Sequence, residues 1–174
     1  MSSLTQLVAD ELAQPVDPRV RDMAEALAAK YPSASQAVLF YGSCLRESQL
    51  EGLMLDFYLI VSSYEAAYGK GWLARANRLI PPNVFPFEHQ GLMAKYAVLS
   101  EADFHLLNGP ETRNVSVWAR FSQPARLVWS ADKDAMTKAI EAVSRAAPTL
   151  LAAAGSIDGE APLDRWRRAF ALTY

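Results

Sequence analysis

The chain is poor in the residues that build metal and disulfide frameworks: it has one cysteine, Cys44, and two histidines among 174 residues. A single cysteine excludes an internal disulfide and a multi-cysteine metal site, and suits a reducing compartment. His89 and His105 lie far apart in sequence and lack ligand spacing, so both are expected to be structural. Positive charge is not in excess either: 17 Lys and Arg stand against 19 Asp and Glu, a net charge of −2. General electrostatic attraction to nucleic acid is therefore not expected, and no nucleic-acid partner is predicted. No apolar run approaches the roughly 20 residues of a membrane span. The N-terminus, with Asp10 and Glu11, resembles neither a secretory signal nor an Arg-rich transit peptide. These absences point to a cytoplasmic chain that meets a membrane, if at all, from its surface.

What is present is a core. Apolar residues make up 51% of the chain and charged residues 21%, enough to fill one domain or one domain with a small appendage. The organising stretch is Val38 to Val61, VLFYGSCLRESQLEGLMLDFYLIV. Val38 to Tyr41 reads as a buried strand stopped by Gly42. A polar segment from Gly42 to Gly52 leaves room for a turn and a short helical piece. Leu53 to Val61 returns as a second apolar strand carrying one acid, Asp56. A carboxylate inside such a strand is costly to bury unless something pairs with it, and a metal is a common partner. Glycine after a strand lets backbone approach a phosphate, successive N–H groups there form an anion nest, and Ser43 adds a hydroxyl. Gly-Ser, about a dozen residues, then an acid in a strand resembles the signature of the polymerase β-like nucleotidyltransferases. Tyr58 stands where that superfamily usually has a second acid. An isolated acid at the end of a strand–loop–strand unit remains the plainer alternative.

Helices are expected over Leu4–Ala13 and from Pro18 to a stop at Tyr31-Pro32, the second with an apolar face of Val20, Met23, Ala24, Leu27 and Ala28. Ser33 to Gln36 reads as a turn. A longer helix is expected from Ser62 to Leu79, with Arg75 and Arg78 near its end, broken by Pro81-Pro82, and Asn83 to Phe87 is extended. Leu92 to Leu99 is a strand with Lys95 embedded in it. A lysine there either snorkels from an edge or points into a site for anions. Ser100-Glu-Ala-Asp103 is a capping-box-like helix start, which makes Asp103 a cap rather than a metal ligand. Val115–Arg120 and Ala125–Trp129 are two short strands, or a helix end and a strand. An Ala-rich helix should run from Asp132 to Ala147 and stop at Pro148, with a turn over Thr149–Ala154 and a last helix from Leu163. That last segment carries Arg165, Arg167 and Arg168 beside Trp166 and has no Gly, Asn or Pro to end it. It looks like a helix in mid-course, so a truncated protein is expected. The arginines are either a weak contact for anionic lipid or, more simply, a solvated rim on a packing face. The alternation predicts an α/β (α+β) fold: a mixed sheet flanked by helices over 1–131, then a small helical section over 132–174.

Several segments in this order resemble one family. They are Gly42-Ser43, MLDFYLIV (Met54–Val61), PPNVF (Pro81–Phe85), AKYAVLS (Ala94–Ser100) and WARFSQPARLVW (Trp118–Trp129). Together they are similar to the mitochondrial-type phosphatidate cytidylyltransferases, the translocator assembly and maintenance family, which has bacterial members. The resemblance implies a nucleotidyltransferase domain followed by a winged-helix-like domain. It implies transfer of cytidylyl from CTP to phosphatidic acid, giving CDP-diacylglycerol and pyrophosphate, with Mg²⁺ and peripheral membrane attachment. Gly42, Ser43, Lys95, Tyr96 and Arg120 would then hold nucleotide, and Asp56 the metal, with Asp56 and Lys95 central to catalysis. Arg120 would meet either the triphosphate or the lipid headgroup, a surface salt bridge being its alternative, and Glu88 is a candidate for a further metal ligand. The chain departs from the family pattern at Cys44, which replaces the last residue of Gly-Ser-Gly, and at Ala97 and Ala119. Another acceptor, or a nucleotide-binding fold without catalysis, also fits the residues taken alone.

Overall fold

The computed structural model describes residues 3–47, 49–69, 71–72 and 83–173. Five strands form one sheet in the order β3-β4-β2-β1-β5. They are β1 (Ser35–Tyr41), β2 (Met54–Val61), β3 (Asn83–His89), β4 (Leu92–Ser100) and β5 (Ala125–Ser130). β1 is antiparallel to both β2 and β5, β2 is parallel to β4, and β3 is antiparallel to β4. The fold is thus a mixed-sheet α+β arrangement, as the alternation of segments implies. β3 and β4 form a hairpin through Gln90 and Gly91, both at positive φ (50° and 79°), the signature of a tight turn matched to strand twist.

Successive side chains alternate between the two faces of the sheet, and each face has its own cover. Val38, Phe40, Leu55, Phe57, Leu59, Ala94, Tyr96 and Val98 pack under α2 (Pro18–Ala28), whose Val20, Met23, Ala24, Leu27 and Ala28 are all buried as its spacing implies. Ala37, Leu39, Tyr58, Ile60, Ala97 and Leu99 pack on the opposite face. That face is covered by α1 (Leu4–Leu12), α4 (Glu101–Leu107), α5 (Trp118–Phe121), α6 (Lys133–Ser144) and α7 (Ala146–Ala154), with α8 (Pro162–Ala171) behind α7. The connection at residues 131 and 132 does not divide two cores. Ala139, Ala142, Leu150 and Ala169 join the same buried cluster as Leu39, Tyr58 and Leu99. Among the described residues no strand follows β5, so the section expected to be winged-helix-like consists of helices.

Local chemistry sets most helix limits. Asp17 caps α2, with Pro18 at its first position, and Asp132 caps α6 through a 2.8 Å bond from the Ala135 amide. Ser100 accepts from the Asp103 amide at 3.1 Å, as expected, and Asp103 also accepts the Tyr64 hydroxyl at 2.5 Å. Three expectations need correction. The turn placed at Thr149–Ala154 is helical, because Pro148 falls in the first turn of α7, where no N–H is required. Ser35 and Gln36 belong to β1 rather than to a turn. The helix from Ser62 is short, α3 (Tyr64–Tyr68), and ends at Gly69 with φ +71°. Residues 73–82, with Arg75, Arg78 and Pro81-Pro82, lie outside the described residues. The last helix closes at Ala171, where the Thr173 hydroxyl donates to the Phe170 carbonyl at 2.9 Å.

Candidate functional site

Helices do not cover all of the second face. Period-two alternation puts Asp56 on the same side as Tyr58 and Ile60, one step beyond the packed core. Tyr41 is opposite Asp56 on β1, and Lys95 is opposite it on β4. The parallel pairing of β2 and β4 therefore brings the two odd residues of the sequence, an acid and a lysine in apolar strands, side by side. Their charged atoms lie 3.2 Å apart; the Asp56 side chain is 19% exposed and that of Lys95 52%. Asp56 Oδ1 is shielded from solvent yet takes no hydrogen bond, so the ammonium is an ionic neighbour without hydrogen-bond alignment.

β1 ends where the Gly-Ser turn begins. Gly42 has φ +94° and ψ −167°, a backbone region that only glycine enters freely, and Ser43–Arg46 follow as a single 3-10 turn. Beside it lies a cavity of about 640 Å³ lined by Gly42, Ser43, Arg46, Ser116, Arg120 and Gln123, among others. A second cavity of about 360 Å³ holds Asp56, Lys95, Tyr58, Val84 and Ala97. Tyr41, Ser116 and Arg120 line both. Arg120 stands on the short helix α5 and donates to the Ser116 carbonyl from Nη1. Tyr41 lines the same two cavities as Arg120. Burial first, then the neighbouring Tyr58 and Asp56, push the Tyr41 phenol well above its ordinary range against the pull of Arg120, so it stays protonated and able to donate.

The structure thus gathers Gly42, Ser43, Asp56, Lys95 and Arg120 around two adjoining cavities. Tyr96 is not among them. It follows Lys95 directly, so it faces the other side of the sheet, 3% exposed, against Phe85 and Phe87 and beneath the Lys30 ammonium. Burial and the nearby Tyr31 raise its phenol above the usual range. Glu88 is exposed and pairs with Met93 on the edge of the sheet, away from the cavity that holds Asp56. Cys44 is buried with its Sγ 3.5 Å from the Met54 carbonyl, and burial raises its thiol, which keeps it protonated. His89 stacks on Phe87, and neither histidine lines these cavities. Tyr41, Ser116 and Arg46 were not singled out by sequence pattern. Only Arg46 had a usable signal: a basic residue one helical turn beyond Gly42.

Two cationic side chains, Arg46 and Arg120, and a Gly-Ser backbone facing one cavity suit a polyanion such as a triphosphate. Among the described residues no group of three or more His, Cys, Asp or Glu is arranged to hold a metal. Mg²⁺ needs no such cage when it arrives with nucleotide, since one or two carboxylates and the substrate phosphates suffice. Asp56, with its unbonded buried oxygen, fits that single-carboxylate role. No protein-family model matches the chain, and no curated protein matches it.

Proposed function

We propose that the chain is a nucleotidyltransferase that moves cytidylyl from CTP to phosphatidic acid, releasing pyrophosphate. One observation carries the reading: the Gly42-Ser43 turn and the Asp56–Lys95 pair open onto cavities that share Arg120. That is a triphosphate cradle next to a carboxylate, with cations on both sides of the point where they meet. The choice of CTP and phosphatidic acid rests on the resemblance, which covers most of residues 38–129.

In this reading the larger cavity holds the triphosphate against the Gly42 backbone, the Ser43 hydroxyl and Arg46. An oxygen of the phosphatidate attacks the α-phosphorus in line, and the bond to the bridging oxygen breaks so that pyrophosphate leaves with the electron pair. The acceptor is already an oxyanion near neutral pH, so no residue has to take a proton. The work left to the protein is positioning and charge neutralisation. Arg120, between the cavities, faces the phosphate under attack, held by the Ser116 carbonyl. Lys95, beside Asp56 in the smaller cavity, sits against a phosphate oxygen where the two cavities meet. Mg²⁺, held by Asp56, supplies further charge neutralisation when bound. No helix among the described residues is long and apolar enough to cross a membrane. Contact with lipid in this reading is therefore peripheral.

The test is turnover of CTP with phosphatidate in mixed micelles, followed by release of pyrophosphate and formation of CDP-diacylglycerol. ATP, GTP and UTP serve as competing donors, and a neutral diacylglycerol as a control acceptor. Pyrophosphate release that depends on CTP and phosphatidate supports the reading. Selective stabilisation by a nucleotide without turnover would instead favour a nucleotide-binding fold that lacks catalysis.

A further inference from the structure

The Asp56–Lys95 contact has the wrong features for a structural ion pair. Lys95 is half exposed, so the pair contributes little to stability. Asp56 Oδ1 is buried and forms no hydrogen bond, although the ammonium lies 3.2 Å away. A lysine placed to satisfy that oxygen would be aligned with it. Lys95 also extends from the strand next to Asp56 rather than from the strand that carries the Gly-Ser turn. Its half-exposed, flexible stem leaves the ammonium free to turn from the carboxylate to an anion that enters the cavity both residues line.

We propose that Lys95 is a placeholder for the divalent cation. Without nucleotide its ammonium neutralises Asp56 and keeps metal off the carboxylate. When a triphosphate arrives, the ammonium transfers to phosphate oxygen and frees Oδ1 for the cation that comes with it. The site then takes metal and nucleotide together and holds neither an idle cation nor a bare buried carboxylate. This rests on the reading of Asp56 as the cation ligand of a nucleotidyl-transfer site.

The consequence is opposite to that of an ordinary positioning lysine: removing Lys95 should improve metal binding by the nucleotide-free protein. The probe is Mn²⁺, with the free ion counted by electron paramagnetic resonance on the full chain and no nucleotide present. Lys95→Gln should bind Mn²⁺ roughly tenfold more tightly than wild type, since a competing and repelling positive charge is gone. The double variant Asp56→Asn with Lys95→Gln should lose that gain. Lys95→Met, which keeps the stem and drops the charge, repeats the measurement if circular dichroism shows that the glutamine variant does not fold. Equal Mn²⁺ affinity of wild type and the Lys95 variants overturns the proposal, as does a gain that survives loss of the Asp56 carboxylate. Failure of wild type to bind CTP at any Mn²⁺ concentration would count against the proposed function instead. The nucleotide-free comparison decides the placeholder by itself.

Discussion

Gly42 stands so close to Asp56 that a Cβ on residue 42 would lie 3.1 Å from the Asp56 Oδ2 oxygen. The glycine is thus required twice: for its backbone angles, and for the space that the carboxylate occupies. Gly42→Ala should cost roughly 1–3 kcal/mol through backbone strain alone. At roughly 2–4 °C per kcal/mol for a chain of this size, calorimetry would resolve the shift. Nucleotide affinity should fall as well, because the added methyl displaces either the turn or Asp56. A variant with unchanged Tm and unchanged CTP affinity would show that the turn is not built as described.

Asp56→Asn separates function from folding. The amide keeps the size of the side chain, and Lys95 is exposed enough to remain solvated without its partner. Exposed pairs are worth about 0–1 kcal/mol, so the Tm should hardly move. Turnover should fall on the order of 100-fold or more, the usual scale for losing one fixed charge at a reacting phosphate or carbonyl. Activity within a few-fold of wild type would remove Asp56 from the mechanism.

Tyr41 and Arg120 should act as one unit. Both line the two cavities, and the positive charge of Arg120 pulls against the burial that raises the Tyr41 phenol. Tyr41→Phe removes the one hydroxyl that Tyr41 offers to the shared cavities, while Arg120→Lys removes the planar fork that donates to the Ser116 carbonyl. Steady-state kinetics on the single and double variants should give a coupling energy of roughly 0.5–3 kcal/mol in kcat/KM for CTP. Strict additivity would mean that Tyr41 does not position Arg120.

The strands and the helix ahead of them were legible because burial leaves a strong pattern. The face of α2 and the apolar runs of β1, β2 and β4 are written in residue type and spacing. Asp56 and Lys95 were legible as anomalies, each a charge in an apolar strand. Their pairing was not, because it depends on β2 and β4 lying parallel in a register that no local signal encodes. Tyr96 was misplaced for a simpler reason: adjacency in a motif says nothing about face, and neighbours in a strand point opposite ways. Tyr41 and Ser116 gave no signal, since a tyrosine ending a buried strand looks like core and Ser116 reaches the cavity only through the path of its loop. Pro148 misled because a proline that ends one helix also suits the start of another.

Alkaline pH should expose the tyrosines as a group. Burial is the leading cause that holds Tyr41, Tyr58, Tyr64, Tyr68 and Tyr96 above the ordinary value of 10.0. Above about pH 10 the unfolded chain loses phenolic protons that the folded chain keeps. The folded state then binds more protons, and stability must fall as pH rises. An ultraviolet phenolate titration should show these five ionising only together with loss of the near-ultraviolet circular dichroism. Smooth ionisation near pH 10 with the fold intact would contradict their burial.

Two of the three arginines of α8, Arg165 and Arg168, are tied to the end of α7 and to Glu160. Arg168 donates to the Ala154 carbonyl, which ends α7, and to Glu160 at 2.7 and 2.8 Å, while Arg165 donates to the Leu151 carbonyl at 3.0 Å. These contacts satisfy carbonyls at the end of α7 that have no helical partner. Trp166 stacks on Phe170 with ring centres 5.8 Å apart, and both pack against the core. Arg167 is the exception, 77% exposed with only the Asp164 carboxylate at 2.8 Å. Arg168→Ala should therefore lower the Tm by loosening α8 from α7, and leave partitioning to phosphatidate-containing vesicles unchanged. Arg167→Ala should leave the Tm unchanged, which makes it the control. A cation held near an anionic surface is worth roughly fivefold in partitioning. Flotation of both variants beside wild type would detect a loss of that size, and such a loss for Arg168→Ala at unchanged Tm would return this helix to the membrane surface.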